Sequence, residues 1–192
     1  MGIALWLCPA SSSVNADLST LLDDLSSQHG TPRFAPHVTL LSGIPSAAPL
    51  PTVLSRLGTA LKTFRASSQP PLRLSFAQPD TRGTFFQFVF QHVEPGEALL
   101  HLRQAVRGEF MPEEAPKEDE YMPHLSLVYG ETTETRTAEG IIREMQKDGA
   151  VKRVEGQRWS VRGHEGFEVG EVRIVKCDGR PEEWEVLDTV PL

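Results

Sequence analysis

Two short stretches hold the residue types that acid/base chemistry needs: His37-Val38-Thr39-Leu40-Leu41 and His124-Leu125-Ser126-Leu127-Val128-Tyr129. Each runs histidine, aliphatic, small hydroxyl, aliphatic, and each follows a proline, Pro36 or Pro123. That alternation fits a half-buried strand, in which residues two apart share a face. His37 and Thr39 therefore share one face, as do His124 and Ser126. A strand rises about 3.3 Å per residue, so ring and hydroxyl root roughly 6 to 7 Å apart and converge on one small anion. The repetition predicts a duplicated half-domain whose halves face each other across a shared cleft.

Histidine titrates near neutrality, so one ring can give a proton while another takes one at the same pH. Thr39 and Ser126 add neutral O–H donors for phosphate oxygens. A tetrahedral phosphate between two imidazoles invites in-line displacement, with one ring activating water and the other protonating the oxygen that leaves. A strained ribose 2′,3′-cyclic phosphate needs this and little more. No carboxylate cluster flanks either motif, so the expected mechanism uses neither metal nor other cofactor. The other histidines, His29, His92, His101 and His164, lack a hydroxyl two residues on and are read as surface or core residues, with no metal-ligand spacing. Tyr129 has a polar tip that seeks a partner if buried. Trp6 divides between core packing and stacking on a nucleobase. In a strand over residues 84–90, Thr84, Phe86, Phe88 and Phe90 would share a face, mostly core, with Thr84 or Phe86 reaching the cleft.

The two motifs resemble the paired H-x-T/S-hydrophobic signatures of the two-histidine (2H) phosphoesterase superfamily. Trp6 near the first strand, Tyr129 three residues past Ser126, and the run Thr84-Phe85-Phe86 resemble its plant and fungal cyclic nucleotide phosphodiesterases, the spacing suiting the small fungal type. The resemblance implies a bilobal α+β fold with pseudo-twofold symmetry, antiparallel sheets lining a central cleft and helices outside. It implies hydrolysis of nucleoside 2′,3′-cyclic phosphates to 2′-phosphates, and activity on ADP-ribose 1″,2″-cyclic phosphate, a by-product of tRNA splicing. His37 and His124 become the acid/base pair, Thr39 and Ser126 the phosphate donors, and Tyr129 a phosphate or ribose contact. Spacing does not distinguish acid from base; if water attacks and a 2′-phosphate remains, His124 is read as the base and His37 as the acid. The plant members carry extra disulfide cysteines, so redox control does not carry over to a chain with 2 cysteines.

The elements that must position these residues follow from periodicity and punctuation. A strand over residues 3–8 closes at Pro9. A helix over 12–28, capped by Ser12 or Ser13, places Val14, Leu18, Leu21, Leu22 and Leu25 on one face and stops at Gly30. After the first histidine strand, Pro49 and Pro51 open a second helix with Val53, Leu54, Leu57, Leu61 and Phe64 inward. Strands over 72–78 and 84–92 flank a polar turn over 79–83. A third helix from Pro95 presents Leu99, Leu102, Val106 and Phe110, and an acidic loop over 112–120 leads to the second histidine strand. A fourth helix over 134–147 presents Ala138, Ile141, Ile142 and Met145. The tail is strand near Trp159, over 166–177, and over 184–190. Strands and helices in this order favour α+β.

At 192 residues, one domain of two interleaved lobes is expected, spanning 1–192. The net charge of -7 argues against long nucleic acid and leaves a small cyclic nucleotide as the partner of a monomer. Buried thiols are expected for Cys8 and Cys177, since a bridge would need close Cα atoms. The apolar start is too short for a secretion signal, and no run of about 20 apolar residues crosses a membrane. A soluble intracellular protein is expected, cytoplasmic, or Golgi-associated by resemblance to fungal members. The rivals are a 2′-5′ RNA ligase or phosphodiesterase-like enzyme, which would want a basic rim, and a nucleotide-binding module that turns nothing over.

Overall fold

The computed structural model describes residues 2–66, 71–113, 120–133, 136–156 and 158–192. Among them are four helices and nine strands. The helices form where apolar residues recur at three and four. α1 (Ser12–His29) buries Leu18, Leu21, Leu22 and Leu25; Ser11, one residue before the expected caps, accepts from the Val14 amide, and Gly30 ends the helix at a φ of 60°. α2 (Leu50–Ala66) buries Val53, Leu57, Leu61 and Phe64. α3 (Glu97–Phe110) buries Leu99, Leu102 and Val106. α4 (Ala138–Asp148) starts four residues later than the sequence suggests: Thr133 and Arg136 form a bridge, and the Thr137 hydroxyl caps the helix by accepting from the Gly140 amide. Glu134 lies outside the described residues, as does most of the acidic loop expected over 112–120.

The strands are β1 (Ile3–Pro9), β2 (Val38–Ile44), β3 (Arg73–Asp80), β4 (Val89–Val93), β5 (His124–Val128), β6 (Val151–Arg153), β7 (Trp159–Val161), β8 (Gly166–Lys176) and β9 (Glu185–Pro191). All named pairings are antiparallel, and seven strands join in the order β1-β2-β5-β4-β3-β8-β9. β8 also pairs with β1, so the pairings of six strands close into a circuit. The short hairpin β6–β7 stands apart.

Residues 84–92 do not make the single strand that alternation suggests. Phe85–Gln87 is one 3₁₀ turn, with the Gln87 amide donating to the Thr84 carbonyl, and β4 begins at Val89. The reason is pairing: Val89 already lies opposite Val128, the last residue of β5, so residues before it have no strand to join. The Phe85 carbonyl accepts instead from the Gly130 amide.

The larger core lies between the helices and the outer face of the sheet, where Leu5, Leu7, Val38, Leu40, Leu125 and Leu127 are buried. α1 packs on β1 and β5, α3 on β2, and α4 on β3 and β4. The inner face carries the alternate residues, with a smaller apolar cluster of Ala4, Trp6, Cys8, Val175 and Cys177 against Trp184. Cys8 lies opposite Glu171 while Cys177 follows the far end of β8, and both thiols are free and buried.

Candidate active site

The two histidine motifs meet at one point, where β2 and β5 pair antiparallel with Val38 opposite Leu125. Antiparallel register then sets Thr39 opposite His124 and Ser126 opposite His37. Each imidazole neighbours the hydroxyl of the other motif. Val38 and Leu125 are fully buried in the core, so the four alternate residues face the other way. All four line one cleft of about 570 Å³, a size suited to a small molecule.

Each ring is anchored in the same manner. His37 Nδ1 lies 2.7 Å from the Ala35 carbonyl, and His124 Nδ1 lies 2.9 Å from the Met122 carbonyl, both two residues upstream. A carbonyl only accepts, so Nδ1 carries hydrogen and, in the neutral ring, Nε2 keeps the lone pair. Ala35 and Met122 each precede a proline, Pro36 or Pro123, which biases them to extended backbone and so places those carbonyls. Burial pushes the His37 ring down to about 4, with His124 and Arg173 adding to the push and the Ala35 hydrogen bond opposing it. Burial also lowers His124, against its bond to Met122, with further lowering from His92 and Arg82. Both rings are therefore neutral in the empty cleft at pH 7.

Neighbouring strands extend the same pattern. Trp6 of β1 lies opposite Thr39 and stacks on His37, while Phe90 of β4 lies opposite Ser126 and stands 5.1 Å from His124. A local twofold through Val38 and Leu125 thus relates the motifs and their aromatic neighbours. The Tyr129 phenol is buried, and burial drives its proton affinity up, while the Ser126 hydroxyl beside it pulls the other way and donates to the Phe86 carbonyl at 3.4 Å. Its ring stacks on Phe34 at 3.8 Å, a contact the sequence did not suggest. Thr84 and Phe86 stand at the rim and line the cleft, Phe86 being 39% exposed. All eight residues singled out from sequence therefore border one space.

Sequence reasoning missed Trp184, which follows a 3₁₀ turn and precedes β9. Its ring stands 5.7 Å from Trp6, 5.9 Å from Phe86 and 5.9 Å from Tyr129, closing the aromatic side of the cleft. Its buried indole N–H has no hydrogen-bond partner among the described residues. Only the contrast of a large aromatic among charged neighbours, Glu182, Glu183 and Glu185, could have flagged it. Among the described lining residues there is no Lys, Arg, Asp or Glu, and no three His, Cys, Asp or Glu side chains gather to hold a metal. The arrangement sets two imidazoles and two small hydroxyls around one hollow, beside an aromatic wall.

A model of the cyclic phosphodiesterase-like protein family matches residues 1–192. The chain is 30% identical over 220 aligned positions to the 2′,3′-cyclic-nucleotide 3′-phosphodiesterase of Yarrowia lipolytica, covering 97% of this chain and 98% of that protein. To the protein of the same name from Phaeosphaeria nodorum it is 33% identical over 136 positions, covering 67% and 68%. Among solved structures, Escherichia coli LigT crystallised with NADP+ superimposes with a TM-score of 0.55 at 12% identity, covering 100% of this chain and 96% of that one. A crystal structure of a phosphoesterase gives 0.54 at 12% identity, covering 99% and 97%. At such identities the likeness is one of fold.

Proposed function

The chain belongs to the cyclic phosphodiesterase-like family, and on that premise we propose that it hydrolyses nucleoside 2′,3′-cyclic phosphates to nucleoside 2′-phosphates, with His37 and His124 as acid and base. One observation carries the proposal: the crosswise meeting at Val38 and Leu125, which brings two rings anchored through Nδ1 and two hydroxyls to one cleft. Thr39 and Ser126 hold the non-bridging phosphate oxygens, with Tyr129 behind Ser126. One imidazole takes a proton from water as its oxygen bonds to phosphorus; the other delivers a proton to O3′ as the P–O3′ bond breaks. Each transfer is worth about 10² to 10⁴ in rate.

His124 is the base and His37 the acid in this reading. A protonated His37 would lie on the face of Trp6, an attraction of about 0.5 to 2 kcal/mol. The negative phosphate raises the proton affinity of both rings, so the acid form arises with the substrate in place. The uncharged lining favours a small nucleotide over long RNA, whose phosphates call for many cations. ADP-ribose 1″,2″-cyclic phosphate is included among the substrates, and the enzyme is taken as a cytoplasmic monomer. Among the described residues no helix is long and apolar enough to cross a membrane.

The test is product analysis on a panel of 2′,3′-cyclic nucleotides and ADP-ribose cyclic phosphate, with 2′- and 3′-phosphates resolved, in EDTA. Accumulation of 2′-phosphates supports the proposal. Binding without turnover would make the chain a nucleotide-binding module, and activity on 2′-5′ linked RNA alone would favour the ligase-like reading.

A further inference from the structure

The local twofold that relates the two motifs fails one position further out. Continuing the β1–β2 register one step past Leu7 and Val38 brings Cys8 beside His37; beside His124, the residue across β4 is His92. Next to Trp6 on β8 stands Arg173, whereas the matching place next to Phe90 on β3 is Asp80. One imidazole thus has a cation in the adjoining row and the other a carboxylate.

Asp80 is held in place. Its Oδ2 lies 3.0 Å from His92 Nε2, and its Oδ1 accepts from the Thr81 amide at 2.8 Å. Phe90 packs between, its ring 5.0 Å from His92 and 5.1 Å from His124. Directly opposed antiparallel side chains root about 4.5 to 5.5 Å apart, so His92 adjoins His124 on the same face. Burial alone would raise the Asp80 carboxyl, but the hydrogen bonds from His92 and Thr81 outweigh it and keep it below the ordinary carboxylate value. It is therefore ionised throughout the range in which an imidazole titrates. The titratable and charged groups around His124 are His92 from β4 and Arg82 from the turn after β3, both of which lower it, and His37 across the β2–β5 pair; Asp80 of β3 reaches it through its bond to His92.

Resting on the acid/base reading of His124, we infer that Asp80 and His92 form a positioning pair that sets the proton affinity of His124. Neither is among the described residues that line the cleft. They act through the neighbouring ring: the carboxylate offsets the positive charge that His92 and Arg82 would otherwise present to it. Asp80 also begins the turn that carries Thr84 and Phe86, so a purely architectural role is the rival.

Charge and architecture are separated by titrating the His124 ring by NMR in the full chain, assigned by its absence in H124Q, for wild type, D80N and H92N. D80N, which keeps the shape but removes the charge, lowers the His124 midpoint by about half a pH unit or more. H92N, which leaves the carboxylate and removes the intervening ring, raises it. The His124 limb of the kcat/KM profile on a cyclic nucleotide moves in the same directions. A midpoint unchanged in D80N, or displaced alike in both variants, overturns the inference. If D80N fails to fold, D80E restores the charge and H92N carries the test. If the wild type hydrolyses no cyclic phosphate, the proposed function falls while the NMR midpoints still decide the pair.

Discussion

Trp6 lies flat against His37, ring centroids 3.6 Å apart and planes 8° from parallel. The stack fixes the plane of the imidazole together with the Ala35 carbonyl, and occupies the indole face that a nucleobase would otherwise use. A base entering this cleft must seat on the remaining aromatics, Phe86 and Trp184.

Replacing that second wall should separate binding from chemistry. W184A is expected to raise KM for cyclic nucleotides about tenfold or more, since stacking of a base contributes about 1 to 3 kcal/mol. The base-free glycerol 1,2-cyclic phosphate should be hydrolysed by wild type and W184A alike. Equal losses on both substrates would place Trp184 in the architecture rather than in base recognition.

Alanine at His37 or at His124 is expected to lower turnover at least about a hundredfold each, with circular dichroism and melting behaviour retained. An active, folded variant of either kind refutes the acid/base pair.

The pH dependence carries a sign. With burial lowering both rings in the empty cleft, the singly protonated pair needed for kcat/KM is most populated below pH 6.5. Bound phosphate raises both, so the optimum in kcat should lie at higher pH than that in kcat/KM. Coincident optima would show that the bound anion does not shift the rings.

Stability should follow His37 as well. Its folded value of about 4 lies below the unfolded 6.5, so the unfolded chain binds more protons between those limits. Stability is full above pH 6.5 and falls as pH drops toward 4, by an amount on the order of 3 kcal/mol. Urea melts of wild type and H37N across that window check this, the variant being expected to lose the His37 share of the slope and keep the part that His124 and His29 contribute.

The motifs and all four helices were legible because their determinants are local: the spacing of apolar residues and Gly30, while the caps at Ser11 and Thr137 fell one and several residues from where the helices were expected to start. His37 and His124 were found by repetition of a short pattern. What escaped depends on partners distant in the chain. The turn at Phe85–Gln87 forms because β5 ends at Val128, which alternation within residues 84–90 does not reveal. His92 passed as a surface or core histidine because its partner Asp80 and its neighbour His124 are brought together only by register. Trp184 reaches the cleft because β9 pairs with β8 and sets the preceding turn beside β1.

β8 pairs with β1, β3 and β9 at once. During synthesis β2 and β5 can pair and bring the two histidines together, but the circuit around them closes only once residues 166–176 have left the ribosome. A nascent chain arrested before that point would hold both motifs side by side but lack Cys177 and Trp184, so the aromatic wall of the cleft is the last part to be added.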